Sequence, residues 1–153
     1  MDDPRLHIIA VTGIVVRDGQ FLIMKRSEKE KAYPGYWTVP GGKIVRHEYE
    51  KMPITPNSEG WYDIVASTLK REIAEEADIQ IDDVKYLTDM TFIRPDDIPV
   101  LVLSYWCRHK SGEVRLGKDM TDYAWVTPEE AKKYNLIPGI LDEIESVDKL
   151  LKI

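Results

Sequence analysis

The sequence predicts an α+β fold, and three observations carry that reading. Apolar, β-branched runs come first and alternate with turn signals. One strongly periodic helix interrupts them. More strand-like runs follow, and the chain then closes in helices rather than alternating strand with helix throughout.

Residues 8–16 are apolar and β-branched, and Asp18-Gly19 turns the chain into 20–26, a hairpin signal. Residues 27–35 are charged, end in Pro34-Gly35 and read as a loop. Residues 36–39 form a short strand leading into a Gly41-Gly42 turn. Residues 63–77 are helical, with Ala66, Leu69, Ile73 and Ala77 as the core-facing stripe. Residues 84–94 and 98–109 read as strands, Ser111-Gly112 as a turn and 122–127 as another strand. Pro128 suits the first turn of a helix over 128–134. The last helix, 139–151, carries Ile140, Ile144, Val147 and Leu151 at helical spacing.

With 153 residues, one domain over 1–153 is the expectation. No apolar run approaches a membrane span, and Met1-Asp2-Asp3-Pro4-Arg5-Leu6-His7 lacks signal-peptide character. The lone Cys107 excludes an internal disulfide, fits a reducing cytoplasm and reads as a small buried hydrophobe. A net charge of −6 argues against binding polymeric nucleic acid, which needs a basic face. A small phosphorylated partner stays allowed, because cations can neutralise local repulsion.

Residues 71–79, Arg-Glu-Ile-Ala-Glu-Glu-Ala-Asp-Ile, carry the chemistry. Glu72, Glu75 and Glu76 stand at i, i+3 and i+4, so a helix gathers their carboxylates on one face. Such a cluster repels itself unless a divalent cation occupies it, and hard cations such as Mg²⁺ take oxygen ligands. Arg71 reaches Glu75 at i+4. Upstream, the glycines of Pro40-Gly41-Gly42-Lys43 permit close backbone approach to a ligand or metal, and Glu48 follows Gly42 after five residues.

Gly42-x5-Glu48 and Arg71-Glu72-Ile73-x-Glu75-Glu76-x-x-Ile79 resemble the two halves of the Nudix box, G-x5-E-x7-R-E-U-x-E-E-x-G-U, with U aliphatic. Phe21-Leu22-Ile23-Met24-Lys25-Arg26 and Tyr123-Ala124-Trp125-Val126-Thr127-Pro128-Glu129-Glu130 resemble flanking segments of the MutT-like members. The resemblance implies a mixed β-sheet flanked by helices, an α/β/α sandwich. Two departures stand out. Asp78 replaces the last box glycine, and Asp tolerates the left-handed conformation that ends a helix. Twenty-two residues separate Glu48 from Arg71 where the family has seven, an insertion of fifteen. Glu48 keeps the count from Gly42, while Asp63 keeps the count back from Arg71 and is alternatively the helix N-cap; both stay open as the first box acid.

The resemblance implies hydrolysis of a nucleoside diphosphate linked to another group, with Mg²⁺ or Mn²⁺. A (d)NTP cleaved to NMP and pyrophosphate is the first expectation. An ADP-ribose or other nucleotide-sugar pyrophosphatase is the alternative, with Pro95 sixteen residues after Ile79 as its one sign. A silent, nucleotide-sensing domain is the non-enzymatic alternative, against which the intact carboxylates argue. Diphosphate isomerisation is disfavoured because Cys107 lies too late in the chain. By analogy Glu72, Glu75 and Arg71 are catalytic. Glu72, Glu75, Glu76, Gly41, Gly42, Glu48 and Asp119 are the metal set, and Arg26, Lys43 and Trp61 meet the substrate. Residues 49–62 combine two prolines with Met52, Ile54, Trp61 and Tyr62, the composition of a loop that could close over a nucleotide. The partner implied is a small nucleotide, with a homodimer as the candidate assembly.

Overall fold

A computed structural model describes residues 2–153. Strands β1 (Ile8–Arg17), β2 (Gln20–Arg26), β3 (Trp37–Thr38), β4 (Gly41–Lys43), β5 (Gln80–Ile93), β6 (Pro99–Ser111) and β7 (Met120–Val126) share one sheet. The path β3-β2-β1-β6-β5 forms its body, with β4 paired to β1 and β7 to β2. β1 and β6 run parallel, and the other pairs are antiparallel. The hairpin at Asp18-Gly19 forms as expected, both residues at positive φ, which suits the twist of a two-residue connection.

Central position explains the composition of β1. Val11, Ile14, Val15 and Val16 are all buried because helices cover both faces, so the strand is apolar throughout rather than alternating. Helix α1 (Ile64–Ala77) packs Leu69, Ile73 and Ala77 against Val11, Val15, Leu22, Met24 and Cys107 on one face. Helices α2 (Pro128–Ala131) and α3 (Ile140–Leu151) cover the other, where Ile140, Ile144 and Val147 meet Ile14, Val16, Phe21 and Ile23. The result is the expected α/β/α arrangement. Cys107 is fully buried, and burial pushes its thiol up to about 12, an inert core residue. Trp37 packs against the α3-side core and edges onto Tyr134.

Several expectations need correction. Gly41-Gly42 is not simply a turn: with Lys43 it is strand β4, opposite Ala10–Thr12. Buried Thr68 joins the α1 stripe while Ala66 is only half-buried. β5 begins at Gln80, directly after the helix, and absorbs register breaks near Ile81, Asp82–Lys85 and Tyr86–Thr88. Those breaks scramble the alternation a sequence reader would look for. β7 starts two residues early, at Met120. α2 stops at Ala131 and continues only as turns, held by a capping box in which Thr127 and Glu130 exchange hydrogen bonds.

Candidate active site

Helix α1 sets the site by its rotation on the sheet. With Leu69 and Ile73 anchored in the core, Glu72 and Glu76 fall at the margin of the buried face and Glu75 points to solvent. Arg71 gathers the cluster. Its guanidinium pairs with Glu72 at 3.1 Å, with Glu75 at 3.3 Å, and with Glu48. Burial works against the Arg71 charge, but Glu48, Glu72 and Glu75 together hold its pKa above the ordinary value. This pairing joins Glu48, from the short 3-10 turn Arg46–Glu48, to the helix across the intervening loop. Asp63 sits at the N-cap position in a left-handed conformation, and its side chain makes no capping bond.

Glu76 behaves differently. Its Oε1 accepts the Gly41 N–H at 2.9 Å, so the helix clasps β4 directly. Burial pushes its carboxyl up to about 7, the Gly41 N–H opposes the rise, and the negative charges of Glu72 and Asp119 add to it. Arg26 partly offsets them. Asp119 and Arg26 are thereby electrostatic neighbours of Glu76, from opposite ends of the sequence. Burial likewise raises the Glu72 carboxyl, with Arg71 pulling it down and Glu75 and Glu48 pushing it up.

The glycines are required by contact. A Cβ on Gly42 would lie 2.4 Å from the Glu72 carboxyl carbon, and one on Gly41 would lie 2.3 Å from the Val11 carbonyl oxygen. Sequence reading missed the brace behind the helix. Arg115 and Gly117 donate their N–H groups at 2.9 Å to the Ala77 and Glu76 carbonyls, satisfying helix-end acceptors. Gly117 fits because a Cβ there would stand 2.6 Å from the Glu75 carbonyl oxygen. Asp78 ends the helix in the left-handed conformation as expected, its N–H on the Ala74 carbonyl.

The remaining expected residues are placed unevenly. Arg26 donates to the Ala32 carbonyl and pairs with Glu30 at 3.3 Å, holding the 27–35 loop. Lys43 is exposed on β4 opposite Ala10. Trp61 finds its partners inside its own loop: its indole N–H donates to the Met52 carbonyl, and its ring edges onto Tyr49. Ser58 bonds the Thr55 and Gly60 carbonyls in the same loop. Tyr62, 70% exposed, is the loop's free aromatic.

Among the described residues no three Asp, Glu, His or Cys side chains converge as a ready metal cage. Arg71 draws Glu48, Glu72 and Glu75 to itself instead. The donor chemistry nevertheless fits a hard divalent cation. Every candidate is a carboxylate or backbone oxygen, and Glu76, buried beside Glu72 and Asp119, is a carboxyl whose charge lacks a paired side-chain cation.

The chain matches the NUDIX domain family over residues 6–145. Nucleoside triphosphatase NudI of Escherichia coli (strain K12) is 26% identical over 137 residues, covering 82% of this chain and 86% of its own length. The crystal structure of a MutT NUDIX hydrolase from Burkholderia pseudomallei superimposes with a TM-score of 0.71 at 22% identity, covering 94% of this chain and 99% of that one. The NUDIX domain of Shewanella oneidensis NrtR, crystallised with ADP ribose, gives 0.72 at 16% identity, covering 97% and 93%. A match that takes in all seven strands, α1 and the Gly41–Glu76 clasp leads to one conclusion: this chain belongs to the Nudix family, as one of its hydrolases.

Proposed function

We propose that the protein is a Mg²⁺- or Mn²⁺-dependent pyrophosphohydrolase acting on a (d)NTP, releasing the nucleoside monophosphate and pyrophosphate. The observation that carries this reading is the convergence of Glu48, Glu72, Glu75 and Glu76 on Arg71 and the β4 glycines. Glu72, Glu75, Glu76 and Glu48 would hold the metal, with Asp119 and a backbone oxygen of Gly41 or Gly42 in support. When bound, the metal would supply positive charge to offset the negative charge developing on the leaving phosphate oxygens. Arg71 orients Glu72 and Glu75. One of these carboxylates accepts the proton of the attacking water, and Glu75 is the most exposed of the helix acids. Lys43 and Arg26 add charge for the phosphates.

The nucleoside triphosphatase relative supports the triphosphate reading. A structurally similar domain bound to ADP ribose favours the alternative, a nucleotide-sugar pyrophosphatase. In either case residues 49–63 are read as an insertion within the box, the chain as one domain, Glu48 as the first box acid, and the cytoplasm as its compartment. No helix among the described residues is long and apolar enough to cross a membrane. The test is product analysis on a panel of NTPs, dNTPs and ADP-ribose, with Mg²⁺ and with EDTA. Metal-dependent monophosphate and pyrophosphate from triphosphates supports the proposal. Cleavage of ADP-ribose alone supports the alternative, and no cleavage of any nucleotide overturns both.

A further inference from the structure

The sheet ends unequally. At one edge β3 has only two residues, and Trp37 bridges from it to Leu136. At the other, β5 runs for fourteen residues with β6 as its neighbour. From Thr88 to Ile93 it pairs with β6 without a register shift, so its outer backbone groups repeat regularly and stand open to a further strand. Every side chain from Thr88 to Ile93 is exposed. Such edges are usually blunted by Lys, by Pro, by a bulge or by a covering helix. Residues 86–93 contain neither Lys nor Pro, and their single charge, Asp89, accepts the Tyr86 hydroxyl.

The sheet face beside this edge is apolar and uncovered. Directly paired residues share a face, so Ile9, Leu101, Leu103 and Ile93 continue the side of Val11 on which α1 packs. Ile9, Leu101 and Leu103 lie beyond the cluster that the helix buries and are only half-buried. Two grooves of about 390 and 330 Å³ run along this end; Leu6 lines both, with Leu101 in the first and Ile93 in the second. Leu6 is 51% and Ile93 69% exposed. The whole chain presents 9713 Å² to solvent, whereas a compact monomer of 17.7 kDa presents about 8,000 Å². The surplus exceeds the roughly 800 Å² that each partner buries in an interface of standard size.

We propose that a second copy of this chain covers the edge: two β5 strands pair antiparallel along residues 88–93 about a two-fold axis and join their sheets. The segment is complementary to itself. Identical regular backbones match in repeat, as a self-paired interface requires. Centred on Met90 or on Thr91, the pairing sets Asp89 opposite an uncharged side chain, Thr91 or Ile93, so no like charges meet. Ile93 of each copy is shielded by the other, and the apolar strip of Leu6 and Leu101 adjoins the join. Nothing in this pairing involves the carboxylates of α1, so it can be tested without substrate or metal.

Two measurements on the full chain test this. The first is mass by light scattering after size exclusion, over a series of concentrations into the high micromolar range. The parent should reach about twice 17.7 kDa. Thr91→Lys and Ile93→Lys put a charge on exposed edge positions, so each should keep the parent's circular dichroism and run as a single copy. Tyr62→Lys, on the exposed apolar loop elsewhere, should keep the parent's mass. A parent of single-copy mass throughout, a dimer that survives both β5 substitutions, or one that Tyr62→Lys dissolves overturns the proposal. The second is amide hydrogen exchange on the concentrated parent, which decides even if the variants do not fold. Amides of 88–93 that face away from β6 should be protected at least tenfold, giving continuous protection along the segment. Protection of alternate amides alone, the pattern of a strand bonded on one side, overturns it.

Discussion

Replacing Glu76 with Gln should stabilise the protein in metal-free buffer, and the gain should grow with pH. The folded state raises this carboxyl from an ordinary 4.5 to about 7. A raised acid binds its proton more tightly folded than unfolded, so stability is lost as pH climbs from 4.5 through 7. Below 4.5 both states are protonated and the penalty vanishes. Above 7 the full gap applies, and at 1.36 kcal/mol per unit it costs about 3 kcal/mol. At pH 5 the same linkage costs under about 1 kcal/mol. Gln keeps an oxygen to accept the Gly41 N–H and removes the charge, so it removes the penalty with the clasp intact. For a chain of this size each kcal/mol moves Tm by roughly 2–4 °C, so the variant should melt about 6–12 °C higher at pH 8 in EDTA. At pH 5 the offset should shrink to about 2–3 °C. The assay is thermal unfolding in EDTA at both pH values. A variant less stable at pH 8, or an offset equal at both, would refute the picture of a desolvated, uncompensated carboxylate.

Three further outcomes follow from the same contacts. Gly42→Ala should lower kcat at least tenfold with a stability change below about 1 kcal/mol, because the Glu72 side chain can swing aside, whereas Gly41→Ala meets fixed backbone at Val11 and should lose about 2 kcal/mol or more by urea unfolding. Equal effects of the two would contradict the packing. Arg71→Ala should lower both activity and stability, the latter by about 1 kcal/mol, because three carboxylates lose one shared cation; full retention of both would make Arg71 a merely solvated residue. Ca²⁺ should bind yet support little turnover, since it takes longer and less regular coordination than Mg²⁺, and equal rates with the two would mean that the metal only screens charge.

Local signals made much of this legible in the sequence. The Asp18-Gly19 hairpin, the 3.6-residue period of α1 and α3, the Asp78 helix end and the Arg71–Glu75 contact all depend on neighbours within a few residues. The Gly41-Gly42 pair read as a turn because glycines usually punctuate; its pairing with Ala10–Thr12 needs a strand thirty residues away. Burial differences among Glu72, Glu75 and Glu76 follow from how Leu69 and Ile73 seat the helix, which spacing alone does not fix. The Arg115–Gly117 brace uses backbone groups, which leave no side-chain signature. Trp61 looked available for a base, but Tyr49 and Met52 already engage it, so the loop's apolar content partly serves its own packing.

The most direct test of the central claim is the turnover of Glu75→Gln on the best triphosphate at saturating Mg²⁺, with folding checked by thermal unfolding. The carboxylate face predicts a kcat at least about 100-fold below the parent's, at an unchanged or higher Tm in EDTA, as expected for loss of a general base or metal ligand. Turnover at the parent rate would contradict the assignment of this helix as the catalytic element.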